Sequence, residues 1–183
     1  HDVDRAVSSA RRAFPGWAAL SPGARADVIR QLANLVEAHL DELATLEVLD
    51  AGKPWSASRN GELPGILESL RHFGAISRVG LAQAAGDYVP GNTSYLRREP
   101  RGVVAAVTPW NFPLWQAVWK IAPAIASGNT IVVKPAENTP LSTLRFAELA
   151  ASVLPAGVLN VVQGRGATTG AALVAHPGVD LIS

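Results

Sequence analysis

The stretch TPWNFPLWQAVWK, residues 108–120, places an amide, Asn111, at the mouth of an apolar segment and an amine, Lys120, inside it. Pro113 suits the first turn of a helix, so Asn111 and Phe112 fall at its entrance. From there Asn111 either caps the helix or turns its amide N–H outward, toward an oxygen that becomes negative during a reaction. A preorganised donor of the second kind lowers a barrier by ~3 kcal/mol in a water-poor site. Gln116 and Lys120 are four residues apart and share one face of the helix. A lysine there either snorkels to the surface or is paired, as a proton relay or charge partner. Pro123 removes the bond to the Trp119 carbonyl and is expected to bend the helix beside Lys120.

Two further groups suit a nucleotide. Lys134-Pro135-Ala136-Glu137 follows one apolar run, and Gln163-Gly164-Arg165-Gly166, with Gly170 beyond it, follows another. Thr108-Pro109-Trp110-Asn111 follows a third, GVVAAV. If the runs are strands of an open parallel sheet, all three groups arrive at its carboxyl edge, where ligands bind. Glu137 is then placed to accept hydrogen bonds from adenosine ribose hydroxyls, and Lys134 to donate to them. A carboxylate there repels a 2′-phosphate, favouring NAD over NADP. The plainer alternative is a solvated ion pair on a loop. The glycine group GRGATTG (164–170) suits close backbone approach, but it is not G-x-G-x-x-G and follows the third strand, not the first. Alone it reads equally as a tight turn.

The elements that must position these groups alternate. Strands are expected at 102–107, 130–133, 158–162 and 179–182. Helices are expected at 113–126, from Thr139-Pro140 to about Val153, and from about Ala167 to Ala175. This β-α-β-α-β-α-β order, with short connections, implies an α/β fold with parallel strands and right-handed crossovers. Residues 1–84 read as a helical region: one helix from Asp2 to about Phe14-Pro15-Gly16, one opening at Ser21-Pro22, one ending at Ala51-Gly52-Lys53-Pro54, and one from about Leu63 to Val79. They carry no catalytic constellation and read as a packing layer. Between the two parts, residues 85–101 read as a two-stranded ribbon turning at Gly91-Asn92. Such a ribbon does not hold itself together alone and needs a domain or another subunit to lie on.

Composition narrows the classes. The formal net charge of +1 gives no electrostatic case for nucleic acid or an anionic membrane. The 183 residues contain no cysteine, and the four histidines are widely separated, so neither a disulfide framework nor a metal site is expected. No apolar run reaches membrane-spanning length, which points to the cytoplasm. The sequence holds no methionine, opens inside a helical pattern and closes on a strand-like segment, so both ends read as cut.

The motifs TPWNFP, WK with APAIASGNT, VVKPAENTP and LPAGVLNVVQGRG together resemble the aldehyde dehydrogenase superfamily, in order across the chain, with AFPGW (13–17) and GKP (52–54) adding to the likeness. The resemblance implies a variant Rossmann-type sheet with flanking helices, preceded by the helical region and the ribbon. It also implies oxidation of an aldehyde to an acid: a cysteine thiolate attacks, Asn111 helps to hold the oxyanion, hydride passes to NAD(P)+, and a glutamate activates water. Lys120 corresponds to the family's relay lysine. Lys134 and Glu137 correspond to its ribose-binding pair, with Pro135 and Ala136 between them. Thr108, Pro109 and Trp110 lie beside the cofactor, and Gly164, Gly166 and Gly170 form its glycine turn. Residues 85–101 correspond to an oligomerisation ribbon, implying a homodimer or homotetramer. NGELPGILESLRHFGA and GDYVPGNTSYLRREP most resemble the aminobutyraldehyde and betaine-aldehyde dehydrogenase group, which implies an amino-aldehyde substrate. With no cysteine, these residues by themselves are expected not to turn over aldehyde. The alternative is a non-catalytic module that retains dinucleotide binding.

Overall fold

The computed structural model describes residues 1–79 and 85–183. The last residues of the expected helical region, 80–84, lie outside the described residues. Helices α1 (Asp2–Ala18), α2 (Pro22–Ala38) and α3 (Leu40–Ala51) come first. A short helix α4 (Trp55–Ala57) then leads through a π-helical turn (Ser58–Glu62) into α5 (Leu63–Val79). Ser21 caps α2, its hydroxyl accepting the Ala24 N–H at 3.2 Å, and Pro22 occupies the first turn. α5 runs over the residues the sequence pattern suggests.

α1 does not stop at Phe14-Pro15-Gly16 but continues through Pro15 to Ala18. The reason is tertiary. Trp17 is buried, and its indole Nε1 donates to the Ile125 carbonyl at 3.0 Å, so the last turn is held by packing that outweighs the proline.

The ribbon comprises β1 (Ala85–Val89) and β2 (Asn92–Tyr95), which pair antiparallel. Its turn is Pro90-Gly91 rather than Gly91-Asn92, because Val89 pairs directly with Asn92. Proline and then glycine at the two central positions is the order a type II turn favours.

The remaining chain alternates β3 (Val103–Val107), α6 (Pro113–Ala126), β4 (Thr130–Lys134), α7 (Leu141–Ala150), β5 (Leu159–Val161), a π-helical turn (Gly166–Gly170) running into α8 (Ala171–Val174), and β6 (Leu181–Ile182). The terminal elements are shorter than expected, and the helix near 167–175 begins as a π turn. The pairings are parallel throughout and the order is β5-β4-β3-β6. The chain thus proceeds outward from β3 to β5, then returns to the other side of β3. The switch in direction lies between β3 and β6.

The two middle strands, β3 and β4, are covered on both faces, which is why they read as unbroken apolar runs, whereas β5 is half-buried and β6 exposed. Val104, Ala106, Ile131 and Val133 join the larger core with α2, α3, α5, α6 and α7. Val103, Ala105 and Val132 face the other way, against Val3, Val7, Ala10 and Leu173 from α1 and α8. This alternation is the two-residue period of a strand.

Candidate active site

The polar groups singled out by sequence do meet at the carboxyl edge of the sheet. The β3–β4 ladder extends to that edge, where the Thr108 N–H donates to the Lys134 carbonyl at 3.2 Å. Thr108 is buried, and its hydroxyl has no partner among the described residues. Pro109, Trp110, Asn111 and Phe112 then turn outward into solvent. Thr139, buried in the loop before α7, donates its hydroxyl to the Trp110 carbonyl at 3.3 Å and ties this turn to the β4 side.

Asn111 does not cap α6. The N-cap is Phe112, without a side-chain bond, and the Asn111 side chain is exposed and makes no hydrogen bond among the described residues. The capping role falls to Glu47 of α3, whose Oε1 accepts the Leu114 N–H at 3.2 Å. Asp50, one turn further along α3, accepts the Leu141 N–H at 2.8 Å and does the same for α7. The positive ends of both helices are therefore occupied by the chain's own carboxylates.

Lys120 is half-buried on α6, and its Nζ donates to the Ser183 hydroxyl just beyond β6 at 3.2 Å. That bond spans the switch point between β3 and β6. On the face of α6 toward α5, Phe112, Trp115 and Trp119 pack edge to face, with centroids 6.1 and 5.6 Å apart. Gly65 lets the Trp115 ring lie close, since a Cβ there would fall 2.7 Å from it.

At the end of β4, Lys134 is buried along its length while Glu137 stands half in solvent; Nζ and Oε2 are 3.0 Å apart. The hydrogen bond from Lys134 is the main reason the Glu137 carboxyl lies below its ordinary range, with its own backbone and that of Gly166 adding to the effect. Pro135 and Ala136, between them, are buried. The glycine turn lies beside the lysine–glutamate pair, with Gly170 over the Lys134 stem.

The three glycines are not equivalent. Gly164 has φ +138°, and a Cβ there would fall 2.0 Å from the Thr169 hydroxyl, so the chain itself requires glycine. Gly166 has ordinary backbone geometry, is exposed, and would present a Cβ to open space. Nothing among the described residues requires glycine there.

The helical region holds charged residues that sequence reading passed over. Glu47, Lys53 and Glu62 form a buried cluster, with Lys53 Nζ 2.7 Å from Glu47 and 2.5 Å from Glu62. The signal available in sequence was Glu47 at helical spacing from Leu43, on the inward face of α3, followed by the lysine of GKP. No local pattern names its partners.

Residues 1–183 match the Aldehyde dehydrogenase family. Phenylacetaldehyde dehydrogenase of Pseudomonas fluorescens is 49% identical over 187 residues, covering 97% of this chain and 37% of its own. The NADP/NAD-dependent aldehyde dehydrogenase PuuC of Escherichia coli K12 is 44% identical over 187 residues, covering 100% of this chain and 37% of its own. Among solved structures, the NAD+ complex of an aldehyde dehydrogenase from Bacillus cereus superposes with a TM-score of 0.94 at 41% identity, covering 99% of this chain and 37% of that one. The chain therefore spans a little over a third of the length of these relatives.

Proposed function

Since the chain belongs to the aldehyde dehydrogenase family, we propose that it forms the dinucleotide-holding and oxyanion-holding part of an enzyme that oxidises an aldehyde to its carboxylic acid. The observation that carries this reading is the meeting of Asn111, the Lys134–Glu137 pair and the Gly164–Gly170 turn at one sheet edge, beside the β3/β6 switch point.

The edge fits a dinucleotide. Gly166, which the fold does not require to be glycine, leaves backbone open to a ligand, and the unpartnered Thr108 hydroxyl lies at the same edge. The helix N-termini of α6 and α7 are already occupied by Glu47 and Asp50, so a phosphate is not expected there. The Lys134–Glu137 pair would hold the adenosine ribose, with Glu137 accepting and Lys134 donating. Trp110 would lie beside the cofactor with Thr108 and Pro109, and Pro135 and Ala136 would form the floor between the pair. A half-exposed carboxylate repels a 2′-phosphate, which supports NAD over NADP. When bound, the nicotinamide supplies the hydride acceptor.

In this reading a thiolate adds to the aldehyde carbon, and Asn111 donates its amide N–H to the oxygen that becomes negative. Its side chain is unengaged and exposed at the edge, as a donor awaiting a substrate oxygen must be. Lys120, already bonded to Ser183 across the switch point, serves as the charge relay. Loss of hydride leaves a thioester, and a water activated by a glutamate releases the acid. These 183 residues hold no cysteine, so the thiolate belongs to the family length they do not span. The likeness of residues 60–75 and 86–100 to the amino-aldehyde enzymes supports an amino-aldehyde substrate. The ribbon at 85–101, with Tyr88, Tyr95 and Leu96 exposed, supports a homodimer or homotetramer built through it.

The test is Asn111→Ala in the full-length protein, assayed with an aldehyde panel and NAD+. We expect kcat to fall about 10²-fold or more while NAD affinity stays unchanged. Equal, small effects on both would remove Asn111 from the oxyanion site. NAD binding without turnover by the unsubstituted full-length protein would favour a non-catalytic dinucleotide-binding module.

A further inference from the structure

Glu47, Lys53 and Glu62 are shielded from water, with side chains 2%, 11% and 15% exposed. Burying a carboxylate is costly unless its oxygens are satisfied. Those of Glu47 are: Oε2 accepts from Lys53, while Oε1 accepts from the Leu114 N–H and the Ser142 hydroxyl. Gly52 ends α3 in the left-handed conformation and Pro54 follows, which directs the Lys53 stem away from the helix and into the gap facing Glu62. Lys53 Nζ also lies 5.0 Å from the centroid of the Phe112 ring.

A buried ion cluster of this kind is weak evidence for stability, because apolar side chains of similar volume often do as well. It differs from an apolar core in being directional. One carboxylate fixes the N-terminus of α6 relative to that of α7, and one ammonium fixes the ring of the residue next to Asn111. Asn111 has no anchor of its own. Its place is set by its neighbours, with Thr139 holding the Trp110 carbonyl on one side and Phe112 lying between Lys53 and Trp115 on the other.

We propose that Glu47 and Lys53 are positioning residues for Asn111, fixing through Leu114 and Phe112 the place where its amide N–H meets the oxyanion. This rests on the reading of Asn111 as the oxyanion donor. The pair acts from the layer behind the site and touches neither substrate nor cofactor.

The experiment uses the full-length enzyme with Lys53→Met, Lys53→Arg, Asn111→Ala and the Lys53→Met/Asn111→Ala double variant. Lys53→Met is expected to lower kcat about tenfold or more, per site able to bind NAD, with KM for NAD unchanged. Lys53→Arg is expected to recover part of that loss. In the Asn111→Ala background, Lys53→Met is expected to cost less than about twofold, since the group it positions is gone. An unchanged kcat for Lys53→Met beside a damaging Asn111→Ala overturns the proposal alone, as do losses that multiply in full. A harmless Asn111→Ala overturns the oxyanion reading, and this proposal with it. Should Lys53→Met not fold, Phe112→Leu keeps both lysine–glutamate contacts and removes the ring. The same kcat-only, non-additive loss is expected there, and a normal kcat overturns the proposal.

Discussion

Lys134 and Glu137 bridge the inside and outside of the molecule: the lysine is 2% exposed, the glutamate 52% exposed, and 3.0 Å separates their charged atoms. The lysine comes off the end of strand β4 and holds the glutamate, and the backbone of Gly166 in the turn after β5 adds to the lowering of its carboxyl pKa. The same turn lies beside the pair, with Gly170 over the lysine stem.

On the proposed reading that Glu137 holds the adenosine ribose and favours NAD, this arrangement predicts cofactor choice. Glu137→Ser or Glu137→Ala is expected to relax the preference for NAD over NADP, because the repulsion toward a 2′-phosphate goes with the carboxylate. The ratio of kcat/KM for the two cofactors in the full-length enzyme measures it. An unchanged ratio removes Glu137 from the ribose site. Lys134 keeps the carboxyl ionised below its ordinary range, so the preference is expected to persist into mildly acidic solution.

Gly164, half-buried, and Gly166, exposed, separate fold from ligand in the glycine turn. Gly164→Ala puts a Cβ against Thr169 at a positive φ and is expected to destabilise the protein by about 1–3 kcal/mol. Gly166→Ala meets open space and is expected to leave stability within ~0.5 kcal/mol. On the dinucleotide reading it nevertheless weakens NAD binding, because the added methyl stands where the ligand approaches. Denaturant midpoints and calorimetric NAD titrations read the two effects. Normal NAD binding by Gly166→Ala would mean that the ligand does not approach this turn.

Asp180 makes the attachment of β6 sensitive to acid. Burial raises its pKa, but the Arg11 guanidinium at 2.8 Å and the Val103 N–H at 2.7 Å outweigh this, and the net shift is downward. A depressed folded pKa contributes stability above the unfolded value, and that contribution is lost as pH falls through the folded value. The stability difference between the unsubstituted protein and Asp180→Asn is therefore expected to be full near neutrality and to shrink as pH drops below 3.8, the group's ordinary value. Urea midpoints across that range test it. Parallel curves would mean that the Asp180 contacts contribute nothing pH-dependent.

How far the sequence could be read depended on how far apart the cooperating residues lie. α5 and α6 were legible because their apolar spacing and prolines act within a few turns. The end of α1 was not, since the Trp17 bond that carries the helix past Pro15 reaches a carbonyl 108 residues away. The ribbon was legible but its turn was misplaced by one residue, as two adjacent glycine-containing pairs compete locally and only pairing of Val89 with Asn92 decides between them. At the site, Asn111, Lys134 and Glu137 stood out by type. Glu47 did not, because its role depends on Leu114 and Ser142, 67 and 95 residues distant.

By itself the sequence determined the alternation of strands and helices, the burial of β3 and β4 on both faces, and the delivery of polar groups to strand ends. These follow from periodicity and from the chemistry of adjacent residues. Tertiary structure alone decided that β6 returns beside β3, that carboxylates from α3 seal the starts of α6 and α7, and that Gly164 rather than Gly166 is required by the fold. Those outcomes depend on which distant groups come within hydrogen-bond or van der Waals reach, and the reach is set only when the layers pack.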